Sequence, residues 1–148
     1  DMPQFRPLPL GVPVLGRVAE REDALLRSRL FLVAPRPAES GVETVSGQRL
    51  LEGLGLGKRA ACIVGGDTTP HLKPHPASLL LACERIAQPP SSCLYVGDDE
   101  RDMLAGRAAV MRVAVALFGY LGEGKPPQQW DADFWADAPS DLLSLLPA

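Results

Sequence analysis

Short, continuously apolar runs alternate along this chain with stretches whose apolar residues recur at helical spacing. Leu30-Phe31-Leu32-Val33-Ala34, Ala60-Ala61-Cys62-Ile63-Val64, Cys93-Leu94-Tyr95-Val96 and Arg112 to Leu117 are of the first kind. Each is short and bounded by proline, glycine or charge, which predicts buried strands. Between them, residues 76–87 place Leu79, Ala82, Cys83 and Ile86 on one face, the signature of an amphipathic helix. Residues 99–109 form a second helix. Val14, Val18, Leu25 and Leu26 among charges predict a further helix over 14–29. A weaker one over 38–54 is interrupted by Gly41, Gly47 and Gly53, with Gln48 to Leu54 its firmer half. Ser140 to Leu146 reads as a short terminal helix, and Gly119 to Asp133 as a long polar surface loop.

Strands that are apolar at every position are buried on both faces, and strands alternating with helices need crossover connections. The pattern therefore predicts an α/β chain: a Rossmann-like three-layer core around a mostly parallel sheet. Pro3, Pro7, Pro9 and Pro13 make residues 1–13 an irregular N-terminal segment, leaving 14–148 as one core domain.

Composition narrows the partners. The chain has 148 residues, 46% hydrophobic and 22% charged, ordinary for a soluble globular domain. A net charge of −3 without a long basic run argues against nucleic acid as a partner. No apolar run approaches the ~18 residues of a membrane span, and no basic-then-apolar leader signals secretion. Cys62, Cys83 and Cys93 are odd in number and lie in apolar surroundings. They read as buried reduced thiols, which suits a cytoplasmic protein.

The chemistry concentrates in Val96-Gly97-Asp98-Asp99-Glu100-Arg101-Asp102. A strand that ends in such a cluster sets carboxylates at the carboxyl edge of the sheet, where open α/β folds bind ligands. Carboxylate oxygens suit a hard cation such as Mg²⁺. Lys73, in Leu72-Lys73-Pro74-His75-Pro76, sits on a stiffened segment ahead of a helix, so its ammonium can be aimed at a phosphate and an aspartate. Other candidates read plainly. Gly53-Leu54-Gly55-Leu56-Gly57-Lys58-Arg59 lacks the glycine and hydroxyl positions of a phosphate loop and reads as a glycine-capped helix end. Prolines keep His71 and His75 off a shared helix. Trp130 and Trp135 read as packing residues under the long loop, and Asp131, Asp133 and Asp137 as solvated. No Gly-x-Ser-x-Gly or His-Glu-x-x-His motif occurs in the sequence.

Lys73-Pro74-His75-Pro76 followed by Val96-Gly97-Asp98-Asp99-Glu100-Arg101-Asp102 resembles the third and fourth motifs of the haloacid dehalogenase-like superfamily. With Val64-Gly65-Gly66-Asp67 and Phe118-Gly119-Tyr120, the likeness extends to phosphoglycolate phosphatase-type enzymes. The tail Gly119-Tyr120 … Pro127-Gln128-Gln129-Trp130-Asp131-Ala132-Asp133 is similar to the branch acting on N-acetylmuramic acid 6-phosphate. The resemblance implies a Mg²⁺-dependent phosphoric monoester hydrolase working through an aspartyl-phosphate. It implies Asp98 as metal ligand, Asp99 or Asp102 holding the metal's waters or orienting Lys73, and Lys73 steadying the phosphate and the nucleophile. The catalytic candidates are thus Lys73 and Asp102, and the metal candidates Asp98 and Asp99.

The chain also departs from that family. The apolar strand ending in Asp-x-Asp-Gly-Thr, which carries the nucleophile, has no counterpart here, nor does the helical cap that follows it. Asp1-Met2-Pro3 echoes only its first letters. The strand matching the second motif ends in Ala34-Pro35, which offers neither a hydroxyl nor a proline N–H. The missing strand is central in the family's sheet, and its absence would strand backbone groups on both neighbours. Leu8 to Leu15, a strand lent by a second copy or another partner, or a rearranged sheet are the ways to fill it. Pro9 and Pro13 argue against the first and favour association or rearrangement. The expectation is a truncated or degenerate phosphatase, weakly active or inactive alone, with a phosphorylated small molecule as ligand. The alternatives are a non-catalytic binding protein of the same fold and one half of a split enzyme.

Overall fold

The computed structural model describes residues 14–16, 30–33, 49, 51–53, 55, 60–65 and 68–145. Six strands form one sheet: β1 Val14–Gly16, β2 Leu30–Val33, β3 Ala60–Val64, β4 Leu94–Gly97, β5 Arg112–Ala116 and β6 Phe134–Ala136. Their order is β3-β2-β1-β4-β5-β6, and every neighbouring pair is parallel. Helix α1, Ala77–Arg85, packs on β3 and β2, and helix α2, Glu100–Ala108, packs on β4 and β5. The α/β class with a parallel sheet is as the hydrophobic pattern predicts.

β4 shows why continuous apolar runs mark such strands. Cys93 and Tyr95 face the helices and join a core with Val64, Leu79, Met103 and Val113. Leu94 and Val96 face the other way, against Ala114, Ala136, Leu142 and Leu145. All four residues of β4 are buried, because each face of the strand has its own layer to fill. The second layer is closed by a 3₁₀ segment, Pro139–Leu145, where the pattern predicts a terminal helix.

The centre of the sheet differs from expectation. Val14–Gly16 is a strand, not the start of a helix, and it pairs with β2 on one side and β4 on the other. The chain itself therefore fills the position for which association or rearrangement was the favoured reading. A three-residue strand following Pro13 suffices, because it needs ladder bonds only over Val14, Leu15 and Gly16. Residues 1–13 and 17–29 lie outside the described residues, as do Ala34-Pro35. β6 is a further strand that the sequence pattern did not single out.

The predicted loop 119–133 is held down at several points. Trp130 is buried and donates its indole N–H to the Lys125 carbonyl at 2.9 Å, and Trp135 donates to that of Pro127 at 2.8 Å. Asp133 is not a solvated residue: its carboxylate accepts from Arg107 and, at 2.8 Å, from the Val113 backbone N–H. Among the thiols, Cys83 and Cys93 are buried with their sulfurs 3.7 Å apart, whereas Cys62 is half-buried. Burial pushes the Cys62 thiol above its ordinary range. Arg49 and Leu51 to Gly53 are helical, and Gly55 follows at φ +70° with its N–H on the Glu52 carbonyl, the cap that the glycine run implied.

Both α1 and α2 end in the same way. Gln88 N–H returns to the Cys83 carbonyl and Ala87 N–H to that of Glu84; Met111 and Val110 repeat the pattern on Gly106 and Arg107. This pair of hydrogen bonds to the last turn places the residue after the cap at positive φ, 53° for Ala87 and 60° for Val110. A β-branched side chain is disfavoured there, and Val110 is 73% exposed, so it recovers little by packing. Val110→Gly is expected to raise stability by roughly 0.5–1 kcal/mol, the relief of left-handed strain exceeding glycine's entropy cost. Urea unfolding of the two proteins checks this; equal or lower stability of the glycine variant refutes it.

Candidate functional site

At the carboxyl edge of the sheet, the turn from β4 into α2 is built around one carboxylate. Asp102 lies in the first turn of α2, and its side chain is 3% exposed. One of its oxygens, Oδ2, accepts the backbone N–H groups of Asp98 and Asp99 at 3.1 and 3.2 Å. The other, Oδ1, accepts Lys73 Nζ at 2.5 Å and the Tyr95 hydroxyl at 3.0 Å. Asp99 caps the helix in return, accepting from the Arg101 N–H at 2.9 Å. This is the reciprocal box that secures a helix start. An aspartate at the third helical position in place of the usual glutamate reaches back because glycine precedes the turn. A Cβ on Gly97 would lie 2.3 Å from that of Asp102.

Asp98 is held from the opposite side. Its carboxylate is buried, and Oδ2 accepts the Tyr120 N–H at 2.8 Å. Gly119 permits that approach, since a Cβ there would fall 2.4 Å from the Asp98 Cβ. The Phe118-Gly119-Tyr120 turn after β5 thus brings a backbone donor to the acid at the end of β4. The structure places Lys73 and Asp102 in direct contact and joins Asp98 to them through its own N–H. It directs Asp99 elsewhere, onto Arg101, whose Nε and Nη2 lie 3.1 and 2.7 Å from the two Asp99 oxygens. The Arg101 hydrogen bond holds the Asp99 carboxyl below the usual range.

Two features of this site were not evident from sequence. Tyr95 sits inside an apolar run and reads there as core, yet its hydroxyl bridges Lys73 and Asp102. The Tyr120 contribution is a backbone donor, invisible to side-chain reasoning. His71 and His75 stack with ring centroids 4.1 Å apart on the segment that carries Lys73. His75 Nδ1 accepts the Ala77 N–H at 3.2 Å, at the start of α1.

The ion that the family resemblance implies is Mg²⁺. That ion is held by one or two carboxylates together with substrate oxygens and water. Asp98 can be one such carboxylate. Asp102 has both oxygens engaged, and those of Asp99 are turned to Arg101. Among the described residues, no three His, Cys, Asp or Glu side chains converge as a metal cluster. Of the acids in this turn, Asp98 is therefore the one placed to contribute a carboxylate to the ion.

Two substitutions probe this arrangement. Asp102→Ala leaves the buried end of Lys73 without its counter-charge and two backbone donors without an acceptor, and is expected to cost roughly 3–5 kcal/mol in urea unfolding. A loss under about 1 kcal/mol would show the carboxylate to be energetically idle. Arg101→Gln tests the exposed pair. A carboxyl whose folded pKa is depressed stabilises the fold above its unfolded pKa and loses that contribution as pH falls through the folded value. The wild-type advantage over Arg101→Gln should therefore be full at neutral pH and vanish in acid. Being solvent-screened, it should stay below about 1 kcal/mol. An advantage that grows toward low pH would reverse the assignment.

A family model for haloacid dehalogenase-like hydrolases matches residues 39–109. Phosphoglycolate phosphatase of Xanthomonas campestris pv. campestris is 46% identical over 95 residues, covering 64% of this chain and 43% of that protein. N-acetylmuramic acid 6-phosphate phosphatase of Pseudomonas putida is 37% identical over 97 residues, covering 66% of this chain and 44% of that protein. The chain thus spans less than half the length of these curated relatives. The crystal structure of a predicted phosphoglycolate phosphatase from Haemophilus somnus superposes with a TM-score of 0.66 at 28% identity, over 78% of this chain and 48% of that one. The family model embraces the segments carrying Lys73 and Asp98 to Asp102, and the sheet order places those segments at one edge. The chain is thus similar to haloacid dehalogenase-like hydrolases over residues 39–109, and among curated relatives to phosphoglycolate phosphatases over about two thirds of its own length.

Proposed function

We propose that this chain is the core of a phosphoric monoester hydrolase of the phosphoglycolate phosphatase type, in a degenerate form that is weakly active or inactive by itself. The observation that carries the reading is the meeting of Lys73, Asp102 and Asp98 at the carboxyl edge of a parallel sheet. A lysine ammonium held beside a carboxylate offers its remaining N–H groups to a phosphate oxygen. Lys73 keeps 20% of its side chain exposed, so it can meet a ligand from solvent. Asp98 is the residue that would contribute to a Mg²⁺ site, with the ion offsetting phosphate charge. The ligand class is a phosphorylated small molecule, as the names of the relatives suggest. No helix among the described residues is long and apolar enough to cross a membrane.

A second reading has a specific observation behind it. β1 occupies the place that in this superfamily belongs to the strand bearing the nucleophile, between β2 and β4. Here Val14-Leu15-Gly16 runs on into Arg17-Val18-Ala19, without an aspartate. Without that group the covalent step has no acceptor, which supports a non-catalytic phosphate-binding relative or one half of a split enzyme.

Hydrolysis of p-nitrophenyl phosphate with Mg²⁺ separates these. The chain alone is expected to release p-nitrophenol slowly or at background, with any release abolished in Asp98→Ala. A peptide bearing an Asp-x-Asp-Gly-Thr strand would raise the rate if the enzyme is split. Orthophosphate should bind the chain and lose affinity in Lys73→Met. Release that survives Asp98→Ala, or phosphate binding indifferent to Lys73, would refute the proposed site.

A further inference from the structure

Tyr95 lies in β4 with its ring in the helix-facing core, 2% exposed. Phenylalanine would satisfy that packing. The phenol adds a buried hydroxyl that must find partners, and it finds them at the site. It donates to Asp102 Oδ1 at 3.0 Å and accepts from Lys73 Nζ at 3.3 Å. We infer that Tyr95 is a positioning residue for Lys73, its phenol fixing the direction in which the ammonium presents its remaining N–H at the edge of the sheet.

Lysine is a flexible side chain. Its ammonium is a compact charge with three donors on a four-carbon stem. A single carboxylate oxygen fixes how far Nζ can stray but leaves it free to swing and rotate. Asp102 cannot supply a second point of attachment from Oδ2, because the Asp98 and Asp99 N–H groups occupy that oxygen. The phenol supplies it. Among the described residues, Lys73 Nζ donates to Asp102 and to Tyr95, so two of its three directions are set and the third is defined by them.

The phenol is itself held firmly. Side chains two apart on a strand share a face, so Tyr95 and the empty position at Gly97 lie side by side. Asp102 fills that position, its Cβ 2.3 Å from where a Gly97 Cβ would be. On the other flank α2 closes on the ring at Gly106, where an added Cβ would lie 3.3 Å from Tyr95 Cδ1 and 2.3 Å from Val113 Cγ1. A ring packed on this side, with its hydroxyl on a buried carboxylate, has little freedom to turn. The inference rests on the phosphate-site reading only for what the third N–H meets.

The full chain has three lysines, Lys58, Lys73 and Lys125, so ¹⁵N-lysine labelling gives a spectrum simple enough to assign. In the wild type, Lys73 ammonium protons should exchange with water more slowly than those of the other two. In Tyr95→Phe the Lys73 exchange should quicken roughly threefold to tenfold, the range set by losing one net hydrogen bond, with Lys58 and Lys125 unchanged. An unchanged Lys73 rate, or a wild-type Lys73 that exchanges as fast as the others, overturns the inference. If Tyr95→Phe does not fold, 3-fluorotyrosine labelling reads the same contact from the other side. Lys73→Met should then shift the fluorine signal of Tyr95 and leave that of Tyr120 in place, and an unmoved Tyr95 signal overturns the inference. Orthophosphate added to the wild type tests the parent reading separately. A Lys73 signal that ignores phosphate refutes the phosphate site while the exchange rates still decide the role of Tyr95.

Discussion

One buried carboxylate organises the functional edge of this protein. Asp102 receives donors from three places: the segment ahead of α1 through Lys73, strand β4 through Tyr95, and the β4–α2 turn through the N–H groups of Asp98 and Asp99. Burying a charge is costly unless it is paired and hydrogen-bonded, and here both oxygens are engaged. The same bonds set the turn that orients Asp98 and hold the lysine beside it. Turn, helix cap and cation are therefore one construction, and none of the three can be altered alone.

The rest of the fold serves that construction by bringing distant segments to one edge. Parallel strands all deliver their carboxyl ends to the same side, so β3 and β4 both release their chain where Lys73 and Asp98 are needed. The Phe118-Gly119-Tyr120 turn after β5 does the same, returning a backbone donor to Asp98. Arg107 completes the frame from below. Its guanidinium grips Asp133 and Asp131 and so fixes the segment that leads into β6. Sequence likeness and architecture both support the phosphatase core proposed above, while Val14-Leu15-Gly16 of the central strand carries no aspartate.

Much of this was legible in the chain. Ala60–Val64 was bounded correctly as a strand because apolar residues fill it and charge and glycine flank it. Both helices were found within two residues of their ends, since Leu79, Ala82 and Cys83, or Met103 and Ala105, recur at helical spacing. β1 was not found. Three residues cannot display a period, and Val14 continued a helical pattern that Val18, Leu25 and Leu26 appeared to extend. What makes Val14–Gly16 a strand is its two neighbours, which lie 16 and 80 residues away along the chain. The pairing of Asp133 with Arg107 has the same origin, a contact between residues 26 apart that no local pattern announces. Tyr95 was hidden for a different reason. Hydropathy registers its ring and says nothing of where the hydroxyl goes.

The placement of Lys73 has a mechanical meaning as well as a chemical one. The chain leaves β3 at the margin of the sheet, passes β2 and β1, and ends in an ion pair over β4. Three inter-strand steps of about 4.8 Å make that a reach of roughly 14 Å. Beneath it, among the described residues, β1 joins the two halves of the sheet through Val14, Leu15 and Gly16 on each side. The Lys73–Asp102 bridge thus ties the segment that follows β3 to the helix that follows β4, across the central strand.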